Sequence, residues 1–413
     1  MNLSLGFLVK HPGVLTLIQD AGRFGAFNIG LTNGGPIDSH AFQWANRLCG
    51  NKLEASAIEI SVGGLSLIAQ VDCTIAVTGA NMPLTINHQA KQLWRSLTIK
   101  AGDIIELGYA SQGVRSYLAV AGGLTIPETF GSTATVCREG IGGLTGNKLN
   151  VGDILPCSNI IRKSNLVLSE SQRPEYSKEI ILHTIPSYQQ KHFSSHQQRL
   201  FFSSEYLVSK SFDRMGYRLE GKKIQSDLNG ILSEGICYGA VQIPADGQPI
   251  VLLNDRQTIG GYPKIGAVSS VDCAKLGQLN QGGKVHFEAI SMEKAHNYPG
   301  IFLVIAEGNH GALLTELYQQ GKNPQPNALI VLSSYMFDKE ANTQYALSLA
   351  QTTFPVLDLY LMRDHPIAIS NAKERLSATK KEMKAIYRQR QLTNRASSYY
   401  PEKELLNAIK SWI

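Results

Sequence analysis

Through about residue 160 the chain is a succession of short apolar stretches cut by glycine: GVLTLIQD, GGLSLIA, CTIAVTG, LWRSLTIKAGDIIELG and RSYLAVAGG. Alternating stretches of this length, separated by glycine turns at short intervals, predict an antiparallel barrel or sandwich and a mostly β protein. Two of the turns, in KAGDIIELG (100–108) and NVGDILP (150–156), share a Gly-Asp-Ile pattern: the glycine supplies positive φ and the aspartate caps the turn before a strand. One helix interrupts the strands. In IDSHAFQWANRLCGN, Asp38 is placed as an N-cap, Ala41, Trp44, Ala45 and Leu48 follow a helical spacing, and Gly50-Asn51 ends the run.

The chain has 413 residues, and single cores stop growing beyond roughly 250–300 residues, so two or three domains are expected. Residues 1–160 form the first strand-rich region. A polar passage at about 160–205, holding one strand, EIILHTIP, leads into a second such region, and the two together make a unit expected to span 161–295. From 296 to 413 the texture changes: GIFLVIAEG, NALIVLSSYMF and FPVLDLYLMRD are continuous apolar runs suited to buried parallel strands, with ALLTELYQQGK helical between the first two. The basic stretch 371–390 is expected to be a helix with a solvated charged face.

A hydrophobic fraction of 43% with 38 glycines describes a folded chain, and a net charge of +6 is modest for this length, so a solvated basic surface is expected rather than a nucleic-acid contact. The six cysteines show no CxxC and no short His/Cys spacing, which predicts reduced thiols, no disulfide framework and no metal site. The N-terminus has no basic leader and no run approaches the length of a membrane span, so a cytoplasmic protein without membrane contact is expected. GGLTGNK (142–148) lacks the spacing and the hydroxyl of a phosphate loop and reads as a turn.

Three loops concentrate chemistry. LLNDRQTIGGYPKIG (252–266) follows a strand and sets Asp255, Arg256, Gln257 and Thr258 beside Gly260-Gly261, where a backbone without Cβ atoms lets a ligand approach, with Tyr262 and Pro263 stiffening the far side. IQDAGRFG (18–25) places Gln19, Asp20 and Arg23 at another strand end, and FDRMGYRLEG (212–221) offers Asp213, Arg214, Tyr217 and Arg218. Arginine forks suit carboxylate, carbamate or phosphate oxygens. Equally, Asp20 with Arg23 and Asp213 with Arg214 could be ion pairs that pin loops.

With LTLIQDAGRFGAFNIGLTNGGPIDSHAFQWANRLCGN, GIGGLTGNKLNVGDILP, FDRMGYRLEG and GAVQIPADGQPIVLLNDRQTIGGYPKIGAV in this order, residues 3–292 resemble the allophanate-hydrolase-subunit-2 family, also called the biotin-dependent carboxyltransferase-like family. Its members include the C subunit of the bacterial ATP-dependent 5-oxoprolinase, a region of urea carboxylase, and a sporulation regulator that antagonises a kinase inhibitor. The resemblance implies two linked cyclophilin-like β-barrel lobes, followed here by a smaller α/β segment, with the three loops lining the cleft between lobes. Ile37, Phe212, Asn254, Ile259 and Gly283 stand where the family commonly has Met, Ser, Ala, Thr and Pro.

The activity implied is opening of the 5-oxoproline lactam to glutamate with ATP. The implied companions are a protein like the 5-oxoprolinase B subunit (allophanate hydrolase subunit 1) and an A subunit of LamB/YcsF type. Arg23, Arg214 and Arg256 would hold carboxylate or phosphate oxygens, Asp20, Asp213 and Asp255 would orient them, and Tyr262 would donate to the developing oxyanion. Gln19, Tyr217, Gln257, Thr258, Gly260 and Gly261 would contact substrate. The rival readings are carboxyl transfer from carboxybiotin to a urea-like amide, with biotin supplied by a partner, and a non-catalytic regulator that binds a kinase inhibitor. The segment after residue 297 resembles the second half of an α/β-hydrolase-like protein of unknown function. Its elbow EGNHGA (307–312) carries no Ser or Cys, with His310, Asp358 and Asp364 as the acid and base candidates.

Overall fold

The computed structural model describes residues 5–163, 165–228, 230–291, 303–307, 312, 315, 318, 328–336, 338–352, 354–362, 364, 366–382, 384, 387–393 and 402–410. The chain divides into two compact units, Met1–Ala289 and Ile290–Ile413.

The first unit is mostly β and has two lobes. In the first lobe, strands Ile154–Pro156, Gly6–Pro12, Leu65–Ala69, Ile104–Leu107, Leu84–Ile86 and Gln89–Lys91 form one sheet in that order, and Leu15–Gln19, Ala57–Ser61, Gln112–Val120, Cys73–Asn81 and Ser96–Ile99 form a second. Alternate residues such as Phe7, Leu67, Ile58, Ile60, Val77 and Leu118 meet in one buried cluster. This lobe is the sandwich form of the expected architecture, since its strands pair as two sheets.

The second sheet is buried on its other face too, because helix Ser39–Leu48 lies across it. Asp38 caps this helix by accepting from the Ala41 amide at 3.0 Å, and Ala41, Phe42, Ala45 and Leu48 pack on Ala57, Ala76, Tyr117 and Ala119. Phe42 takes the core place, while Trp44 is half-buried and stacks with Arg47.

The second lobe is a closed barrel of seven strands: Glu179–Pro186, Lys264–Val268, Ala240–Gln242, Ile250–Leu252, Gly216–Glu220, Glu205–Phe212 and Lys284–Ala289. Neighbours are antiparallel except at the seam, where the last strand returns parallel to the first. Leu182, Phe201, Tyr206, Val251 and Phe287 fill it, together with one residue of the first lobe, Ile37. Ile37 seats against Gly277, where a Cβ would lie 2.1 Å from its Cγ2. Glycine there is the condition for the two lobes to interlock.

The second unit is a parallel sheet in the order Leu303–Glu307, Ala328–Leu332, Val356–Leu361, Tyr387–Leu392. Both faces are covered: Leu329, Val331 and Val356 belong to one cluster and Ile330, Leu332, Leu357 and Leu359 to the other. That is why the strands read as unbroken apolar runs.

The helix expected over 371–390 runs instead over Pro366–Lys381, and Tyr387–Leu392 is a strand paired with Val356–Leu361. Its Tyr-Arg-Gln-Arg alternation puts Arg388 and Arg390 outward on an edge, the position where charge suits a strand. The elbow candidate His310 lies outside the described residues. Asp358 is fully buried and accepts from Arg375 at 2.7 and 2.9 Å, Tyr387 at 2.6 Å and Gln389 at 2.9 Å, which makes it the anchor between sheet and helix rather than an available acid. Asp364 accepts from the Ser333 hydroxyl and the Leu361 amide.

Removing one member of a buried ion pair strands the other and typically costs about 3–5 kcal/mol. Asp358→Ala is therefore expected to lower the stability of this unit by about that amount in urea unfolding. A loss below about 1 kcal/mol, the range of exposed pairs, would contradict the anchoring role.

Candidate functional site

Between the lobes lies a neutral set of four buried charges. Glu59 sits in the strand Ala57–Ser61, whose Ile58 and Ile60 face the first-lobe core, so Glu59 faces the opposite way. Tyr117 is its cross-strand partner, and Arg115 shares that face two residues before. From the second lobe, Arg214 at the tip of a hairpin donates to both oxygens of Asp255 at 2.9 Å each, to Glu59 and to the Gly35 carbonyl at 2.7 Å. Glu59 also accepts from Tyr117 Oη at 2.8 Å and the Ile37 amide at 3.1 Å. Arg115 donates to Tyr217 Oη at 2.8 Å and to the Gly277 carbonyl.

Burial by itself would raise the Glu59 carboxyl, but Arg214, Arg115, the Ile37 amide and Tyr117 together hold it below its ordinary value. For Asp255 burial outweighs Arg214 and leaves the carboxyl raised. Arg214 is held firmly charged: burial opposes its charge, and Asp255 and Glu59 overcome that.

Gln278 completes the joint. A bulge in the strand Gln112–Val120 leaves the Val114 and Arg115 amides without a ladder partner. Gln278 Oε1 takes both at 2.9 and 2.8 Å, while its Nε2 reaches the Asp38 carboxylate at 2.8 Å.

Beside this joint opens a cleft of about 540 Å³, lined by Phe24, Asn33, Gly34, Phe42 and Gln43 of the first lobe and Tyr238, Asn254, Arg256 and Ser270 of the second. Arg256, only 7% exposed, is the cation in its wall. The three acceptors it reaches are neutral: the Ile236 carbonyl at 3.1 Å, the Leu253 carbonyl at 3.3 Å and Asn33 Oδ1 at 3.3 Å. The rings of Phe27 and Tyr238 lie 5.2 and 5.8 Å from its guanidinium carbon. Burial pulls its pKa below the usual value, and among the described residues no carboxylate offsets that. A buried cation held open by neutral groups is chemistry suited to an anion.

The loops read from the sequence separate by role. Ala21 and Phe24 of the first loop and Asn254 and Arg256 of the third line the cleft. Asp20 accepts from the Gly22 amide, Ser132 Oγ and the Thr133 amide, and Arg23 donates to the Thr129 and Ala134 carbonyls, so the two stitch residues 18–25 to 129–135 instead of pairing with each other. Arg23 Nη1 has no hydrogen-bond partner among the described residues. Gln19 bridges the Thr135 carbonyl and the Gly35 amide.

Asp213 is exposed and caps its own hairpin through the Met215 and Gly216 amides, and Arg214 pairs with Asp255 instead. Tyr217 is buried inside the joint. Gln257 is exposed, and Thr258, Gly260, Gly261 and Tyr262 belong to a flap in which Ile259-Gly260 pairs with Glu234-Gly235. A Cβ on Gly260 would meet Ile236 Cδ1 at 2.4 Å, and one on Gly261 the Ile231 carbonyl at 3.0 Å. Those glycines admit the flap, and Tyr262, 48% exposed, lies outside the cleft lining.

Glu59, Arg115, Gln278, Asn33 and Asn254 were not among the expected site residues. For Glu59 and Arg115 the signal was present: a lone charge inside AIEIS and inside GVRSYLAV, each otherwise a buried strand. On the outside of the barrel seam, Glu179, Glu205 and His286 place ligand atoms within 4.8 Å of one another, the set best able to hold a cation among the described residues. Lys284 already pairs with Glu205 there at 3.0 Å.

Two β lobes clasped by a buried ionic joint, with an arginine-walled cleft beside it, define a two-subdomain binding scaffold. Residues 29–289 match the model of the family described as "Carboxyltransferase domain, subdomain A and B", and the chain belongs to that family. Residues 287–413 match a second, described as "Protein of unknown function (DUF3530)". The chain is 36% identical over 292 residues to the C subunit of 5-oxoprolinase from Escherichia coli K12, covering 70% of this chain and 92% of that protein. It is 27% identical over 353 residues to the urea amidolyase of Lachancea kluyveri, covering 80% of this chain and 19% of that one. The crystal structure of Kluyveromyces lactis urea carboxylase superposes with a TM-score of 0.66 at 27% identity, over 71% of this chain and 28% of the other. No helix among the described residues is long and apolar enough to cross a membrane.

The joint carries a testable consequence. Arg214→Ala is expected to destabilise the first unit by about 3–5 kcal/mol in urea unfolding. Glu59, whose folded carboxyl titrates below its unfolded value of about 4.3, contributes stability that is complete above that pH and is lost as the pH falls through the lower folded value. Glu59→Gln should lose stability near neutrality and show a shallower further decline on acidification than the parent. Parallel curves for the two proteins would exclude this linkage.

Proposed function

We propose that the chain is one component of an ATP-dependent 5-oxoprolinase, acting with companion subunits to hydrolyse 5-oxo-L-proline to L-glutamate. The observation that carries this reading is Arg256, a buried guanidinium in the cleft wall whose protein partners are all neutral. The substrate carboxylate would supply the missing charge in a bidentate, charge-assisted contact. In the reaction, water adds to the lactam carbonyl, the ring C–N bond breaks, and the nitrogen takes a proton to become the amine of glutamate. Arg256 orients the ring by its carboxylate, while Phe24, Phe42 and Tyr238 narrow the approach of bulk water.

Arg214 and Asp255 serve this site as positioning residues. The Asp255 amide donates to the Arg214 carbonyl at 2.9 Å, so their ion pair fixes the backbone immediately before Arg256.

Among the described residues, the cleft and the glycine-rich turn do not fit a triphosphate. The glycine-rich 140–146 turn is closed on itself, with a Cβ on Gly142 placed 1.9 Å from the Ala134 carbonyl oxygen and one on Gly146 placed 2.1 Å from that of Gly140. The cleft lining holds one arginine, Arg256, and one carboxylate, Glu54, and so offers no cluster of cations for a polyphosphate. ATP is accordingly assigned to the companions, one like the 5-oxoprolinase B subunit, the other an A subunit of LamB/YcsF type.

The urea amidolyase and urea carboxylase relatives favour a second reading, carboxyl transfer to a urea-like amide with biotin carried by a partner. In that reaction the transferred carboxylate is itself an anion that an arginine can hold, so the two readings are separated by the product, glutamate or a carboxylated urea.

The test is co-expression of the full chain with both companions and assay of ATP-dependent glutamate release. Losing a charged hydrogen-bond partner of a bound anion costs about 2–4 kcal/mol, so Arg256→Ala should lower kcat/KM by roughly 30- to 1,000-fold, with Arg256→Lys recovering part of it. Full activity of Arg256→Ala, or glutamate release without ATP, would overturn the proposal.

A further inference from the structure

Two thiols meet at one end of the first lobe, one from each sheet of the sandwich. Cys73 opens the strand Cys73–Asn81 of the second sheet, and its side chain is fully buried in the lobe core with Ile75 and Val77. Cys157 follows the strand Ile154–Pro156 of the first sheet, pairs with Leu124 in an isolated bridge, and packs half-buried against the same core. The chain just beyond it is stitched to the start of the Cys73 strand. The Thr74 amide donates to the Ile160 carbonyl at 2.9 Å, and the Arg162 amide donates to Thr74 Oγ1 at 2.9 Å. With the two backbones held side by side, the Cys73 and Cys157 thiols hydrogen-bond to each other. That bond holds the Cys157 thiol below its ordinary value against the effect of burial, while the same bond and burial push Cys73 up. Cys157 is the readier thiolate, and the thiolate is the nucleophile.

We propose that Cys73 and Cys157 are a peroxide-sensitive pair that closes to a disulfide between the two sheets of the first lobe. The co-reactant is hydrogen peroxide, small enough to reach a half-buried sulfur. The Cys157 thiolate attacks one peroxide oxygen: an S–O bond forms, the O–O bond breaks, and the departing hydroxide takes up the proton released when the thiol ionised, leaving a sulfenic acid and water. The Cys73 sulfur then attacks the Cys157 sulfur. The S–S bond forms, the S–O bond breaks, and the hydroxide leaves with the Cys73 proton as a second water. The two sulfurs lose two electrons between them and the peroxide gains both. Burial divides the roles: Cys73 is shielded from the oxidant but lies in contact with the sulfur that meets it. The disulfide fastens the edge strand Ile154–Pro156 to the opposite sheet of the sandwich. Cys137 and Cys237 are exposed and open to peroxide as well, so the signature is this particular pairing and not loss of thiol alone.

The experiment treats the full chain with hydrogen peroxide, blocks the remaining thiols with N-ethylmaleimide in denaturant, and maps the peptides by mass spectrometry without reductant. The parent is expected to give a peptide pair linked through Cys73 and Cys157, lighter than its two parts by two hydrogen atoms and separated by dithiothreitol. Cys157→Ser should leave Cys73 open to alkylation at the same peroxide dose, because the buried thiol does not meet the oxidant directly. Cys73→Ser should leave Cys157 as a sulfenic acid that dimedone traps, an adduct the parent should lack. Four results would overturn the proposal: both thiols unreacted in the parent, a dimedone adduct on its Cys157 without the linked pair, a disulfide from either residue to Cys137 or Cys237, or equal oxidation of Cys73 in Cys157→Ser. The parent and Cys157→Ser decide the matter even if Cys73→Ser, which sets a hydroxyl in the core, does not fold.

Discussion

Arg214 reaches out of the second lobe to a carboxylate of the first, and the joint between the lobes is built around that contact. Its guanidinium is shared between Asp255, on its own lobe, and Glu59, across the boundary. Removing such groups from water costs several kcal/mol per ion, which is recovered only if geometry and extra hydrogen bonds are good. Here the first lobe supplies them, through Tyr117 and the Ile37 amide to Glu59 and the Gly35 carbonyl to Arg214. Neither lobe contains the full set, so the charges are satisfied only with the lobes together. Ile37 locking over Gly277 adds an apolar register to the ionic one.

Two arginines forty-two residues apart in the chain illustrate how little residue type says by itself. Arg214 has two carboxylates and is held firmly charged, whereas Arg256 has two carbonyls and an amide oxygen and is pulled down by burial. The first is consumed by the architecture, and the second stands in the cleft wall with neutral partners alone. The same division separates Asn33 and Asn254: the Asn33 amide is tied at both ends, to the Arg23 carbonyl and to Arg256, while the Asn254 amide is tied at one. A polar group whose geometry is fixed and whose valence is unfilled is how a folded protein stores recognition.

The second unit uses a buried ion pair for a different end. Arg375 and Asp358 fasten a helix to the middle of a parallel sheet, with Tyr387 and Gln389 of the edge strand filling the remaining acceptor capacity. An acid at the heart of a sheet resembles a catalytic residue in one dimension. In three, its oxygens face partners that belong to the fold.

Much of the fold was legible from local pattern. Glycine-cut alternation announced the β lobes, unbroken apolar runs announced the parallel sheet, and Asp38 with Gly50 marked the ends of the helix. Those signals work because strand and helix periodicity, turn conformation and capping act over a few residues. The 371–390 stretch misled because its charges fit a helix face as well as an edge strand, and only pairing with Val356–Leu361 chose between them. At the site, the order of residues was enough to put Asp, Arg and glycine at three strand ends. Folding alone gave Arg214 its two carboxylates and Arg23 and Arg256 only carbonyl and amide oxygens, and brought Glu59 and Gln278 into the joint. Hydrogen-bond satisfaction is a property of groups brought together from distant parts of the chain, and no local pattern encodes what remains after they have paired.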